Sequence, residues 1–350
     1  MNFLKKLSFL WKRPKIIIVT GEGRNCAKEA IYQVLKQYFK IGNEILLFES
    51  ELKNSTGVEK FNFLVRNSSL PILVITHVGD IPPDKDFFAG DREKTMAIRK
   101  LAQTMPAQGF LILNFDDETV REIKDGTNLK ELTFGFQEGA DFRATDIKLN
   151  GGTNFKINYK GNIVPIWLER LFGKEQIYSA LVAAALGTIF DLNLVEISQA
   201  LKNYKSLPGK MRLIEGINQS WVLDDFQSAT VFSMVEAIEI FGLIPGFKRK
   251  IAVLGDVTGI GKYTIEAHEA IGERVSKNID LLFTFGPRAH FIAQGANVKG
   301  LPLEKIFQFD TIDEGKLKLR DEIKEGDLIL VDGSKEMAME KLVQEIKSGR

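Results

Sequence analysis

The stretch KIIIVTGEGRNCAKE, Lys15 to Glu29, decides the architecture of this chain. Its first six residues, Lys15 to Thr20, are built on a continuous apolar, β-branched run from Ile16 to Val19, the pattern of a parallel strand buried on both faces. Gly21 and Gly23 punctuate a turn. Beyond it Ala30, Ile31, Val34, Leu35, Tyr38 and Phe39 recur at helical spacing, with Gly42 just past their end. A buried strand, a glycine turn and a helix N-terminus form an anion cradle, because backbone N–H groups and the helix dipole converge there. A nucleotide-binding loop of this kind reads G-x-x-x-x-G-K-[ST], its Lys reaching the phosphates and its hydroxyl holding Mg²⁺. Here Arg24, Asn25 and Cys26 follow Gly23 instead. The planar fork of Arg24 does not replace a compact ammonium. Asn25 is a poorer Mg²⁺ ligand than a hydroxyl, and Glu22 repels phosphate. The residues alone therefore favour a structural turn over a competent ATP cradle, and Cys26 reads as a small buried filler.

Outward from this unit the chain alternates strands and helices. Further strands are predicted at 44–48, 72–76 and 110–114, and a helix at 91–105. Residues 49–70, polar and rich in Asn and Ser, read as a loop with at most a short helix. From 131 to 167 short strands follow one another around Gly151-Gly152 and Lys160-Gly161-Asn162, an antiparallel patch. Helices are expected at 175–190 and 194–204. Ser206-Leu207-Pro208-Gly209 marks a boundary, giving domains 15–207 and 208–350. In the second, strands at 221–224, 250–255, 280–285, 306–309 and 328–331 alternate with helices, the last at 336–347. The fold class is α/β, with two mainly parallel sheets covered by helices.

Composition narrows the function. Lys and Arg number 47 against 46 Asp and Glu, a net charge of +1 that argues against a nucleic-acid partner. One cysteine excludes an intrachain disulfide and a cysteine zinc cluster, and three scattered histidines argue against a histidine metal site, so no metal ligands are expected. No apolar run is long enough to span a bilayer, and the cytoplasm is the expected compartment. Residues 1–14 form a basic amphipathic segment. Phe3, Leu4, Leu7, Leu10 and Trp11 share one face at helical spacing, with Lys5, Lys6, Lys12, Arg13 and Lys15 around them. Such a segment can lie on an anionic membrane surface at the inner face of the plasma membrane, or pack on the domain.

Segments taken in order resemble the Mur ligase family. Thr20-Gly21 to Lys28-Glu29 sits where the family carries T-G-x-x-G-K-T-T-T-K-E. Val74 to Gly79 resembles V-I-T-N-[IV]-G, Leu113 to Asp117 resembles L-N-A-D-D, and YSALVAAA from Tyr178 resembles Y-N-A-L-A-A-A. Leu207 to Met211 resembles V-P-G-R-M, and Leu223-Asp224-Asp225 resembles I-D-D. Val253 to Asp256, with Gly261 and His268, resembles V-L-G-D-M-x-E-L-G-x(6)-H. Asp332 to Lys335, with Met337, Met339 and Glu340, resembles K-G-S-R-x-M-x-M-E. The likeness runs from about residue 15 to 345 and is strongest to the branch that adds D-alanyl-D-alanine to the UDP-muramoyl tripeptide of peptidoglycan.

The resemblance implies a central P-loop-type ATPase-like domain and a C-terminal Rossmann-like domain. It also implies ATP- and Mg²⁺-dependent amide formation through an acyl phosphate. It assigns residual nucleotide-side roles to Gly21, Gly23, Arg24, Asn25, Gln176, Lys210 and Asp225, and an acceptor-side role to Ser334 and Lys335. His268 matches a family helix histidine and is a weak catalytic candidate. The departures concern the chemistry. Arg24 and Asn25 replace the loop Lys and its metal-binding Thr, and the strand with a metal-binding Glu has no counterpart. Asp80-Ile81-Pro82 replaces P-A-H, and Ile98 stands about where a carbamylated Lys belongs. Glu175-Gln176 replaces the adenine-side His-Asn, Lys210 replaces an Arg, and Phe226–Thr230 has lost the Asn and Pro of S-Y-N-A-N-P. Asp332 reverses the charge of a Lys, and the family's N-terminal UDP-binding domain has no counterpart in the sequence. Three readings follow. The leading one is a degenerate, non-catalytic scaffold or binding protein whose partner is another cell-wall synthesis protein. The others are an active acid–amino-acid ligase and a nucleotide or UDP-precursor sensor.

Overall fold

The computed structural model describes residues 3–52, 55–78, 91–227, 229–277 and 279–349. The expectations at Gly79 to Pro82 and at Ser228 lie outside these residues, as do those for the side chains of Phe3 and Lys5. The chain divides into two compact units: the described residues of Met1–Lys148, Asn154–Leu168 and Lys174–Lys205, and those of Leu149–Thr153, Glu169–Gly173 and Ser206–Arg350.

The first unit runs α1 (Phe3–Lys12), β1 (Lys15–Thr20), α2 (Arg24–Leu35), β2 (Ile45–Glu49), α3 (Ser55–Asn67) and β3 (Pro71–Ile75). It continues with α4 (Asp91–Thr104), β4 (Phe110–Asn114), the single turn α5 (Glu118–Arg121), β5 (Lys130–Gly135) and β6 (Phe142–Leu149). Then come β7 (Gly152–Tyr159), β8 (Asn162–Glu169), α6 (Lys174–Ile189) and α7 (Leu194–Leu201). The strands form one sheet in the order β2-β1-β3-β4-β5-β6-β7-β8. Pairing is parallel from β2 through β6, and the hairpins β6–β7–β8 extend it. Ile16 to Val19 of β1 are wholly buried, as a strand central to the sheet and covered on both faces requires.

Two local expectations change. Residues 55–67 form a 13-residue helix where a loop with at most a short helix was expected. Val58 and Val65 sit in the core and Phe61 packs against it, a stripe at helical spacing hidden in a polar stretch. Conversely α2 ends at Leu35, not Phe39. Phe39 leaves the helix to pack edge-on against Phe190 at 5.1 Å, while Tyr38 is exposed. Helix α6 is buried along Gln176 to Gly187, since its alanines let neighbouring helices approach.

The second unit contains β9 (Arg212–Glu215), β10 (Trp221–Asp225), α8 (Val231–Leu243), β11 (Arg249–Gly255) and α9 (Thr264–Val275). It ends with β12 (Leu281–Phe285), α10 (Ala289–Val298), β13 (Ile306–Phe309), α11 (Ile312–Glu322), β14 (Asp327–Asp332) and α12 (Glu340–Ile346). The sheet order is β13-β12-β11-β14-β10-β9, parallel except for β9. The four-residue β9 is too short to announce itself in sequence. The closing helix begins four residues later than expected, because Lys335–Met337 forms a 3₁₀ turn first. Helices α9 and α10 cross through two glycines. A methyl at Gly272 would strike the Ile292 carbonyl and the Ala296 amide, and one at Gly295 would strike the Glu269 carbonyl.

Candidate functional site

In the first unit the turn after β1 is clasped onto the end of β3. Gly21 has φ 104° and Gly23 φ 73°, backbone that glycine adopts without strain. A methyl at Gly21 would lie 2.6 Å from the His77 carbonyl oxygen, and the Glu22 amide donates to that same oxygen at 2.7 Å. The Thr76 hydroxyl donates to the Thr20 carbonyl at 3.0 Å. The cradle geometry of strand, glycine turn and helix N-terminus is therefore present.

Two of its cationic side chains are paired with carboxylates. The Arg24 guanidinium turns to Glu51 at 2.7 Å and donates to the Gly21 carbonyl at 3.1 Å. Lys28 pairs with Glu49 at 3.3 Å. The Glu175 side chain covers Gly23 so closely that a methyl there would meet its Cγ at 2.9 Å. Asn25 Oδ1 is buried with no hydrogen-bond partner among the described residues. Gln176 lies beneath the turn, buried, donating to Cys26 Sγ at 3.8 Å and accepting from the Tyr204 hydroxyl at 2.9 Å. The cation at the loop lysine's place is thus already neutralised, with Glu22, Glu51 and Glu175 around the turn.

One pair at this crest was read only as motif letters in the sequence. His77 Nδ1 stands 2.8 Å from Asp117 Oδ2. Asp117 also accepts from the Val78 amide at 2.9 Å and caps α5 through the Val120 amide at 3.1 Å. Burial pushes this carboxyl up, but His77 and the two amides outweigh it and hold it below the usual carboxylate range. Its neighbour Asp116 accepts from the amides of Phe136 and Gln137 and from the Tyr178 hydroxyl. An Asp at the start of a helical turn was the available signal for the cap. The His77 contact spans 40 residues and had none.

In the second unit the carboxyl ends of β10 and β14 bring Asp225 beside Asp332 in register. Lys210 follows Gly209, whose φ of 72° and lack of Cβ let Phe226 and Gln227 close over it. Asp224 is buried and paired with Arg212, at 3.0 Å to Nη2 and 3.2 Å to its amide, yet burial still pushes its carboxyl up to about 6. Asp332 is buried, and neither carboxylate oxygen has a well-formed hydrogen bond among the described residues. Burial drives this carboxyl up to about 7, with the Gly333 amide and the charge of Lys210 opposing. Ser334 is buried, accepting from the Thr258 amide at 2.9 Å and donating to the Ala229 carbonyl at 3.3 Å. Lys335 is exposed.

His268 stands apart from this crest, fully buried in α9. Its Nε2 accepts from the Val257 amide at 3.1 Å, and its Nδ1 is 2.6 Å from the Thr264 carbonyl, to which it donates. Burial holds its pKa below the usual value, so the ring is neutral and ties the loop after β11 to its own helix. Asp256 accepts from the Arg288 and Ala289 amides at 3.0 and 2.7 Å, capping α10. The sequence showed Asp256 only as a motif letter.

Two α/β units, the first with a strand–glycine-turn–helix cradle and the second with an acidic strand crest, define the class. The Mur ligase middle domain matches residues 70–187, and the Mur ligase glutamate ligase domain matches residues 209–335. This chain belongs to the Mur ligase family. Among its relatives is the UDP-N-acetylmuramoyl-tripeptide–D-alanyl-D-alanine ligase of Bacillus subtilis (strain 168). It is 24% identical, over 95% of this chain and 76% of that protein. The ligase of the same name from Escherichia coli (strain K12) is 29% identical, over 69% of this chain and 53% of that protein. The fold is that of the crystal structure of MurF from Acinetobacter baumannii, with a TM-score of 0.81 and 19% identity, covering 97% of this chain and 78% of that one. MurF ligase from Thermotoga maritima in complex with ADP gives a TM-score of 0.76 at 18% identity, covering 97% and 82%.

Proposed function

We propose that this chain is a non-catalytic member of the Mur ligase family. It is a binding protein of peptidoglycan-precursor synthesis that keeps the fold of a D-alanyl-D-alanine-adding ligase without its phosphoryl chemistry. The reading rests on the relatives' activity in that synthesis. The observation that carries it is the state of Arg24. Phosphoryl transfer depends on cations aimed at the transferring group. The guanidinium at that place is bound to Glu51 and to the Gly21 carbonyl, and the Glu175 side chain overlies Gly23. Loss of one such charge-stabilising group costs about 10²–10³ in rate. Here the cation is redirected and a carboxylate stands over the loop as well. The partner expected is another protein of cell-wall synthesis, held by the surface of the retained fold.

The test is calorimetric titration of ATP with and without Mg²⁺, run beside an assay of ADP release in the presence of D-alanyl-D-alanine. The expected result is no Mg²⁺-dependent binding at millimolar ATP and no ADP. Mg²⁺-dependent binding that is abolished in Arg24→Ala, with dipeptide-dependent ADP release, overturns the reading in favour of an active ligase.

A further inference from the structure

We propose that α1 is a bilayer-docking element that seats the chain on an anionic phospholipid surface, with a cationic recess at its C-terminal end taking the lipid phosphates. The inference is independent of whether the nucleotide turn is active. Among the described side chains of α1, Phe9 is the one buried against its unit. Phe9 is 6% exposed, lies in the core with Val58, Val65 and Leu101, and meets the Phe63 ring at 5.7 Å. Leu4, Leu7, Leu10 and Trp11 share a face whose centre lies roughly 160° round the helix from Phe9. That face points away from the unit: the four side chains are 75%, 49%, 45% and 86% exposed. A contiguous apolar stripe of this kind on a soluble fold marks a surface that something covers.

The charge around it chooses a lipid. Lys6 stacks over Phe63 at 5.4 Å on the protein side of the helix. At the C-terminal end of the helix, Lys12, Arg13 and Lys15 line a recess of about 430 Å³, with Asn43 and one acidic residue, Glu44. Lys12 and Arg13 are exposed and make no ion pair among the described residues. Lys15 spends its cation over the rings of Phe39 and Phe190, at 5.7 and 5.5 Å. Trp11 ends the apolar stripe next to this cationic end, the place of an aromatic anchor at a headgroup boundary. A ten-residue helix is about 15 Å long, half a hydrocarbon core, so it lies in the interface and does not span it. No helix among the described residues is long and apolar enough to cross a membrane.

The experiment is co-sedimentation of the full chain with vesicles of phosphatidylcholine alone and of phosphatidylcholine with one-third phosphatidylglycerol. The expected result is sedimentation with the anionic vesicles alone, weakening as salt is raised. Each surface cation contributes about fivefold, so Lys12→Gln with Arg13→Gln lowers the partition roughly 25-fold. Leu7→Ser with Trp11→Ser lowers it at least about tenfold, since the apolar stripe supplies the insertion. All four side chains are exposed, and an unchanged circular dichroism spectrum confirms that each variant is folded. Absence of sedimentation with anionic vesicles, equal sedimentation with neutral ones, or insensitivity to both variant pairs overturns the proposal. So does a lipid-free dimer in sedimentation velocity that Leu7→Ser with Trp11→Ser abolishes, because the stripe then belongs to a second copy.

Discussion

Replacing Asp332 by Asn should make the second unit more stable at alkaline pH, and the gain should fade as the pH falls. Asp332 is buried at the end of β14 without a well-formed hydrogen bond, and burial pushes its carboxyl up to about 7. In the unfolded chain the group titrates near 3.8. Between those values the native state binds the extra proton, so native stability falls as pH rises from about 4 to about 7. The full span is worth on the order of 4 kcal/mol, the cost of ionising the side chain where it lies. Asn keeps the shape and carries no charge. The variant should therefore exceed the parent by a few kcal/mol at pH 8, narrowing to about 1 kcal/mol at pH 4.5. Two other groups titrate in the same unit. Asp224, pushed up to about 6, adds a loss of the same sign. His268, held below its usual value, loses stability in the opposite direction, as acid charges the unfolded ring. The His268 contribution cancels in the difference between parent and variant. Urea unfolding can be followed through Trp221, which lies in β10 under the Arg170 guanidinium, in a Trp11→Phe, Trp167→Phe background. A gap that does not change with pH, or a variant less stable at pH 8, would refute the claim that this carboxylate is buried without adequate compensation.

Three further outcomes follow from the same geometry. Gly21→Ala should cost several kcal/mol, about 3 or more, because the new methyl meets the His77 backbone in a left-handed position; thermal unfolding of the first unit reads it. His268→Ala should destabilise the second unit by about 2–4 kcal/mol, leaving the Val257 amide unpaired and a cavity in α9, which urea unfolding through Trp221 measures. Asn193→Ala should cost about 1 kcal/mol by removing the capping box of α7, in which Asn193 accepts from the Glu196 amide and Glu196 reaches back; a drop in melting temperature without change in circular dichroism is the signature.

The elements with strong period were legible in the sequence. The run Lys15–Thr20 is strand β1 to the residue, because a strand covered on both faces is apolar through its centre, here Ile16 to Val19. Helix α3 was not legible, since asparagines and charges dilute a stripe that rests on Val58, Phe61 and Val65. The turn at Gly21–Gly23 and its missing Lys could be read directly. Where Arg24 goes instead could not, because Glu51 comes from a loop 27 residues away and Glu175 from a helix 151 positions later. The same limit hid the His77–Asp117 pair and the Arg212–Asp224 pair. Local pattern reports which face is buried; it does not report which distant polar groups meet there.

The glycine crossing of α9 and α10 makes two distant sites a single mutational unit. Gly272 and Gly295 each sit against the bare backbone of the opposite helix, so a methyl at either position has no side chain to push aside and must separate the helices. Once separated, they leave room for the second methyl. The penalties of Gly272→Ala and Gly295→Ala should then be strongly sub-additive, the double variant costing little more than the worse single one. Drift at either site is blocked while its counterpart stays glycine. The route to a wider crossing passes through one costly intermediate, after which the other position is free to vary.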